Sequence, residues 1–174
     1  MHTKTLNDFD KLVDEHSREI FAYLWRMLRD PQDAEDALQE TFLRAFRGFP
    51  RREDDSNLRA WLYKIATNVA YTLLKKRNRR ASRTTDLTEF TPIATSDNLA
   101  RRDLLEAVLQ AVKILPHKQQ AALMLRNYQG FSYDEIGEAL DCSPEAARAN
   151  VYQAVKKLRL QLAPQFAAAG GNDE

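Results

Sequence analysis

Cysteine is nearly absent from this sequence: Cys142 is the only one in 174 residues. An internal disulfide and a cysteine-built zinc site are excluded, and such usage suits a reducing cytoplasm. Glycine is scarce as well, with 5 residues, three of which (Gly130, Gly170 and Gly171) fall at or beyond expected helix ends. A dinucleotide-binding fold, a P-loop enzyme or a β-sandwich needs more glycine for its turns and phosphate loops. No apolar run approaches the roughly 20 residues of a membrane span, and the first ten residues carry no signal-peptide core. The expectation is a cytoplasmic protein without membrane insertion. Net charge is lacking too, since 26 Lys and Arg stand against 25 Asp and Glu, a formal +1. As an average, that balance argues against a nucleic-acid partner. Position by position it does not.

What the chain has is helical periodicity. The hydrophobic share of 44% is enough for a core, and the length admits one compact domain or two small helical ones. Phe9, Leu12, Val13, His16, Ile20, Leu24, Met27 and Leu28 recur mostly at three- and four-residue steps, the spacing of one helix face. Asp30 and Pro31 read as a cap and first helical residue. Ala34, Ala37, Leu38, Thr41, Phe42, Ala45 and Phe46 then share a face, and Gly48 and Pro50 stop the helix. Asn57 caps a third, carrying Leu58, Trp61, Leu62, Ile65, Ala66, Val69, Leu73 and Leu74, which runs on until periodicity fails near Ala81. Thr84 to Asn98 shows no helical period and reads as a linker. Beyond it, Leu104 to Leu115 form another stripe, and Pro116 opens a helix that stops near Gly130. Ser132 with Glu135 has capping-box spacing, and Ser143 with Pro144 is a second strong start signal. The tail from Ala167 reads as frayed. The fold class expected is all-α: two small helical domains, 1–80 and 99–174, joined by a flexible linker at 81–98.

Three constellations carry chemistry. The first is a short helix, a tight turn and a second helix over Tyr133 to Arg159, a helix-turn-helix arrangement. Gly137 lets helices cross closely, and Asp141 takes the turn position usually given to glycine. The second helix offers Arg148, Asn150, Tyr152, Gln153, Lys156 and Lys157. Arginine suits guanine edges, asparagine and glutamine suit adenine, and lysine suits phosphates. An ordinary αα-hairpin with a solvated basic face is the bland alternative. The second constellation is six bases from Lys75 to Arg83 with no acid among them, following a helix with Trp61, Tyr63, Lys64, Asn68 and Tyr71. Aromatic rings beside cations suit unstacked, single-stranded bases. A helix end favouring cations through its dipole explains only part of it. The third is acidic: Asp30, Asp33, Glu35, Asp36 and Glu40. A metal site is rejected, because helix N-termini favour such charge and the 3 histidines form no ligand set. An acidic exposed face docks a basic partner surface better.

These residues resemble the extracytoplasmic-function group of bacterial sigma factors, over nearly the whole chain from Asp8 to Ala163. DAEDALQETFLRAFRGF resembles the signature of the family's second region, so Asp33, Glu35, Asp36, Gln39 and Glu40 would face the clamp of core RNA polymerase. NLRAWLYKIATNVAYTLLKKRNRR resembles the helix that melts and reads the minus-ten promoter element. The resemblance places Asn68 near the pocket for a flipped-out base, with Trp61 and Tyr71 in the same helix. The loop Arg51 to Asn57 would help capture that base, and Lys64, Lys75, Lys76 and Arg77 would track phosphates. LPHKQQAALMLRNYQGFSYDEIGEALDCSPEAARANVYQAVKKLR resembles the fourth-region helix-turn-helix, placing Arg148, Asn150, Tyr152, Gln153, Lys156 and Lys157 toward the minus-thirty-five element. Ala147, Ala149 and Asn150 replace larger or more basic residues common there, so the upstream sequence preference does not transfer.

The function implied is a dissociable initiation subunit that binds core polymerase and promoter DNA, helps open the duplex, and is held by an anti-sigma protein in a compact state. Neither a cofactor nor a catalytic set is expected. A sigma mimic that only sequesters an anti-sigma protein predicts eroded DNA-facing residues, yet Asn68 and Arg148 remain. An autonomous repressor leaves the acidic helix without a role. The linker from Ala81 to Asn98 could span about 60 Å when extended, enough for two elements one to two turns apart at about 35 Å per turn.

Overall fold

The computed structural model describes residues 6–52, 57–81 and 99–169, with helix or turn through nearly all of them. Seven helices lie among these residues: α1 (Leu6–Leu28), α2 (Pro31–Gly48), α3 (Leu58–Ala81), α4 (Leu99–Lys113), α5 (His117–Asn127), α6 (Tyr133–Leu140) and α7 (Pro144–Ala169). A short 3-10 turn, Phe49–Arg51, follows α2, and no strand occurs among the described residues. The all-α expectation holds, with α1–α3 and α4–α7 as its two helical groups. The expected linker beyond Ala81, loop residues 53–56 and the last five residues lie outside the described residues.

Local chemistry sets the helix ends where the sequence put them. Asp30 accepts from the Asp33 backbone N–H at 2.9 Å, and Pro31 follows as the first helical residue. Asn57 caps α3 by accepting from the Ala60 N–H at 3.0 Å. Ser132 and Glu135 form the reciprocal capping box of α6, with bonds of 3.2 and 2.8 Å. One end differs from expectation: α7 passes Pro164 and reaches Ala169. Proline costs that helix one N–H bond, and the alanines that follow are the best helix formers available.

The helix α3 is the centre of the molecule, packed by α1, α2 and α6. Its apolar stripe from the sequence is incomplete, because Ala60, Tyr63, Thr67 and Ala70 form a second buried row. Tyr23 stacks edge-on to Tyr63 at 5.0 Å, and Tyr63 to Phe131 at 4.9 Å. Thr67 gives its hydroxyl hydrogen to the Tyr63 carbonyl at 2.7 Å, so the Tyr23 hydroxyl donates to Thr67 Oγ1 at 2.8 Å. Full burial pushes the Tyr23 phenol far above its ordinary pKa, which keeps that donor protonated. One apolar cluster therefore runs from Ile20 and Leu24 through Leu62 and Ala66 to Phe131, Ile136 and Leu140. The two helical groups share a core.

An ion pair joins the same elements. Arg59 Nη2 sits 2.8 Å from Glu19 Oε2 and also donates to the Gln129 carbonyl at 3.1 Å, while His16 Nδ1 lies 2.7 Å from Glu19 Oε1. Partial burial raises the Glu19 pKa, but hydrogen bonds and charge from Arg59 and His16 outweigh it, and the net shift is downward. A lowered carboxylate contributes stability above its unfolded pKa, about 4.3 for glutamate, and loses it as pH falls through the folded value. Thermal melting is expected to show stability falling as the pH drops below about 4.3, a fall that Glu19→Gln makes shallower.

Candidate nucleic-acid and polymerase interfaces

On α3, positions 57, 61, 64, 68, 71 and 75 alternate steps of four and three, so Asn57, Trp61, Lys64, Asn68, Tyr71 and Lys75 share one edge of the helix. Asn68 and Lys75 are exposed, whereas Trp61, Lys64 and Tyr71 are half-buried. The Trp61 ring packs so closely on α2 that a Cβ at Gly48 would stand 3.2 Å from it. Arg52 lies 6.0 Å from the centre of the same ring. Tyr63, counted by the sequence among rings for bases, is instead fully buried, because its position falls on the second core row. Below the row, Lys75, Lys76, Arg79 and Arg80 are exposed at the α3 end. Arg77 points back, donating to the Leu28 carbonyl at 3.0 Å with Asp33 at 3.7 Å.

The helix-turn-helix is built as a tight unit. Asp141 ends α6 in the left-handed conformation (φ 56°) and lets the Cys142 N–H reach the Gly137 carbonyl at 2.9 Å. Gly137 makes room for the turn backbone rather than for a crossing helix, since a Cβ there would stand 2.7 Å from the Cys142 carbonyl oxygen. Burial raises the Cys142 thiol pKa, which leaves little thiolate for redox chemistry. Ala147, Val151 and Ala154 of α7 are buried. Two polar rows remain, and helical spacing sorts them. Arg148, Tyr152, Lys156 and Arg159 line one groove with Tyr133, and Asn150, Gln153 and Lys157 form the other row. Tyr133 carries two guanidiniums over its ring, Arg126 at 4.8 Å and Arg148 at 5.1 Å. Arg126 was invisible to the sequence reading, since it lies on α5 and only the fold brings it to Tyr133.

The α2 face is exposed at Glu35, Asp36 and Gln39, with Asp33 and Glu40 half-buried. Glu40 pairs with Arg44 at 2.6 Å. Positions 36, 39, 43 and 46 make one stripe, so exposed Leu43 (53%) and Phe46 (47%) continue the acidic face as apolar contacts. The sequence placed Phe46 on the buried side; its ring meets Phe9 at 5.1 Å but keeps an open edge. Leu43 was missed, although its position off the buried stripe gave the signal. Among the described residues, no group of His, Cys, Asp and Glu is placed to hold a metal ion.

Residues 12–80 match the family described as Sigma-70 region 2, and residues 105–158 match Sigma-70, region 4. The RNA polymerase sigma-H factor of Pseudomonas aeruginosa is 31% identical, with 90% of this chain and 86% of that one covered. An ECF RNA polymerase sigma-E factor, from Haemophilus influenzae, is 26% identical over 90% and 88%. This chain belongs to the extracytoplasmic-function group of RNA polymerase sigma factors. As a sigma factor it binds core RNA polymerase, directs it to specific promoters and helps open the DNA for initiation. The fold is shared with two solved structures. One is RpoE of Bartonella quintana in complex with the anti-sigma factor NepR (24% identity, 91% and 98% covered, TM-score 0.71). The other is CnrH with the cytosolic domain of CnrY (22% identity, 92% and 90% covered, TM-score 0.69). No helix among the described residues is long and apolar enough to cross a membrane.

Proposed function

We propose that this sigma factor divides its work among three faces. The α3 edge from Trp61 through Lys64, Asn68 and Tyr71 to Lys75, with Lys76 and Arg77, takes the opened minus-ten strand, in the unit spanning 1–80. The α7 rows from Arg148 to Lys157 take the minus-thirty-five duplex, in the unit spanning 99–174 beyond a linker at 81–98. The α2 stripe of Asp33, Glu35, Asp36, Gln39 and Glu40, extended by Leu43 and Phe46, docks polymerase. The observation that carries this reading is the unbroken four-three spacing of the α3 edge, which ends in a run of exposed bases. Opening comes from binding energy spent on unstacked bases. The chain does no catalysis itself, acts in the cytoplasm and needs no cofactor. An anti-sigma protein belongs to the same reading, supported by the solved structure in which the anti-sigma factor NepR is bound to this fold.

Permanganate footprinting of a promoter complex tests the division. Asn68→Ala should shrink the reactive thymines while leaving duplex binding intact, and Arg148→Ala should weaken duplex binding before any opening. Equal loss of both signals from both variants would contradict it. Tyr133→Leu releases two arginines from one ring, and each exposed cation–π contact is worth about 0.5–1 kcal/mol. Promoter-duplex affinity is expected to fall by roughly three- to tenfold in fluorescence anisotropy, with Tyr133→Phe unchanged.

A further inference from the structure

A cavity of about 280 Å³ lies where the end of α1 meets α4, α5 and α7. Its walls are aliphatic: Val108, Leu109 and Val112 of α4, Leu123 of α5, and Leu158 and Leu162 of α7. Helical spacing accounts for them, since 108 with 112 and 158 with 162 each stand one turn apart on a shared face. The opening is cationic. Arg26 of α1, Arg29 just past its end and Arg159 of α7 line it, and among the described residues no carboxylate does. Arg29 and Arg159 are exposed, whereas Leu123 and Leu162 are buried. Charged heads therefore surround the mouth and aliphatic atoms form the floor.

The arginines are not neutralised. Among the described residues none of the three is paired with a carboxylate. Arg26 lies 4.4 Å from the centre of the Tyr128 ring, and Arg29 lies 5.4 Å from that of Trp25. Such contacts orient a guanidinium and leave its charge in place. Arg29 also stands in the left-handed conformation (φ 57°), which glycine or asparagine takes more readily. Its backbone N–H closes α1 on the Trp25 carbonyl at 2.8 Å. Partial burial pushes the Arg29 guanidinium below its ordinary pKa, and the neighbouring Arg26 charge adds to that. The dipole of α1 favours a cation at its end and accounts for Arg26. It accounts neither for Arg159, inside another helix, nor for the aliphatic cavity beneath all three.

Uncompensated guanidiniums above an aliphatic floor fit an anion that carries an aliphatic tail. Size sets the length of that tail. An apolar cavity of about 150 Å³ takes a six-carbon ring, so the volume here scales to a chain of roughly ten carbons. We propose that this cavity binds one free single-chain carboxylate amphiphile, of the medium-chain fatty acid class. Its tail lies among the α4, α5 and α7 side chains, and its carboxylate meets the arginines. A planar guanidinium offers a carboxylate two parallel N–H donors, which fixes the head while the tail fills the floor. The two long tails of a bilayer lipid exceed the space. The site is separate from the α3 edge and from the α2 stripe, and it adds a small-molecule ligand to a chain whose other partners are macromolecules.

Isothermal titration calorimetry of the full chain, without polymerase, tests this with hexanoate, octanoate, decanoate, dodecanoate and tetradecanoate, each below its micelle-forming concentration. One site per chain is expected, with affinity rising roughly fourfold per added methylene up to decanoate and levelling beyond it. Decanol, which has the tail without the charge, should bind at least about tenfold more weakly than decanoate. Arg26→Gln with Arg29→Asn should cost decanoate roughly tenfold or more and leave decanol nearly unchanged. The asparagine keeps a residue that accepts the left-handed backbone. Val108→Trp fills the cavity and should abolish binding of both ligands; if far-UV circular dichroism shows it unfolded, the arginine pair and the chain-length series decide. Lys11→Gln with Arg18→Gln removes two exposed charges of α1 that do not line the cavity, and should leave both ligands as in the wild type. Sedimentation with anionic phosphatidylglycerol vesicles should show no association that depends on Arg26 and Arg29. Absence of saturable decanoate binding, affinity that climbs steadily through tetradecanoate, an equal loss from the control pair, or vesicle binding that the arginine variant abolishes overturns the proposal.

Discussion

Gly137→Ala is expected to cost this sigma factor about 1–3 kcal/mol of stability and most of its upstream-element binding. Helix propensity alone points the other way, since alanine is favoured over glycine in a helix interior by roughly 1 kcal/mol. Geometry decides the sign. The added methyl carbon would stand 2.7 Å from the Cys142 carbonyl oxygen, which is backbone and is fixed by the turn that Asp141 sets up. That carbonyl cannot step aside like the end of a flexible side chain, so the turn must open and α7 must tilt. Arg148 and Asn150 lie within eight residues of Cys142, and their angle to DNA changes with that tilt. Thermal melting and promoter-duplex anisotropy check both parts. Glu138→Ala, one residue away and exposed, should change either by little. A Gly137→Ala protein as stable as the wild type would show that the turn is looser than its geometry.

Reversing the α2 stripe should do its damage without touching the fold. Asp36→Lys combined with Leu43→Ser replaces two exposed side chains on the outer stripe, and surface changes of this kind usually alter stability by about 0.5 kcal/mol or less. Binding to core polymerase is different. Reversing a charge in a complementary interface converts attraction into repulsion, and disrupting such charge contacts costs about 2–5 kcal/mol. Sedimentation with core polymerase should therefore show affinity falling by roughly thirtyfold or more, while duplex binding by the free chain remains. Retained polymerase binding would move the docking face away from α2.

How far the sequence reached can be seen residue by residue. Asp30, Asn57, Ser132 and Ser143 marked their helix starts correctly because capping is local chemistry, written within three or four residues. The left-handed Asp141 was legible for the same reason. Tyr63 was misjudged because α3 buries two rows, and a single sequence reveals the stronger stripe and hides the second. Glu135, Asp141 and the His117 carbonyl, which meet Asn57, Lys64 and Tyr71, depend on approach between helices dozens of residues apart in sequence, and Arg126 reaches Tyr133 only across the α5–α6 turn. The near-zero charge concealed most. It sums five acids at the start of α2, six bases at and beyond the end of α3, and carboxylates on α6 that face α3.

Run-off transcription with purified core polymerase on a pool of genomic promoter fragments tests the central claim most directly. The account predicts discrete transcripts that require this chain, shrink sharply with Asn68→Ala or Arg148→Ala, and vanish with the altered α2 stripe. Transcripts made equally by core polymerase alone, or no association of this chain with polymerase, would contradict it.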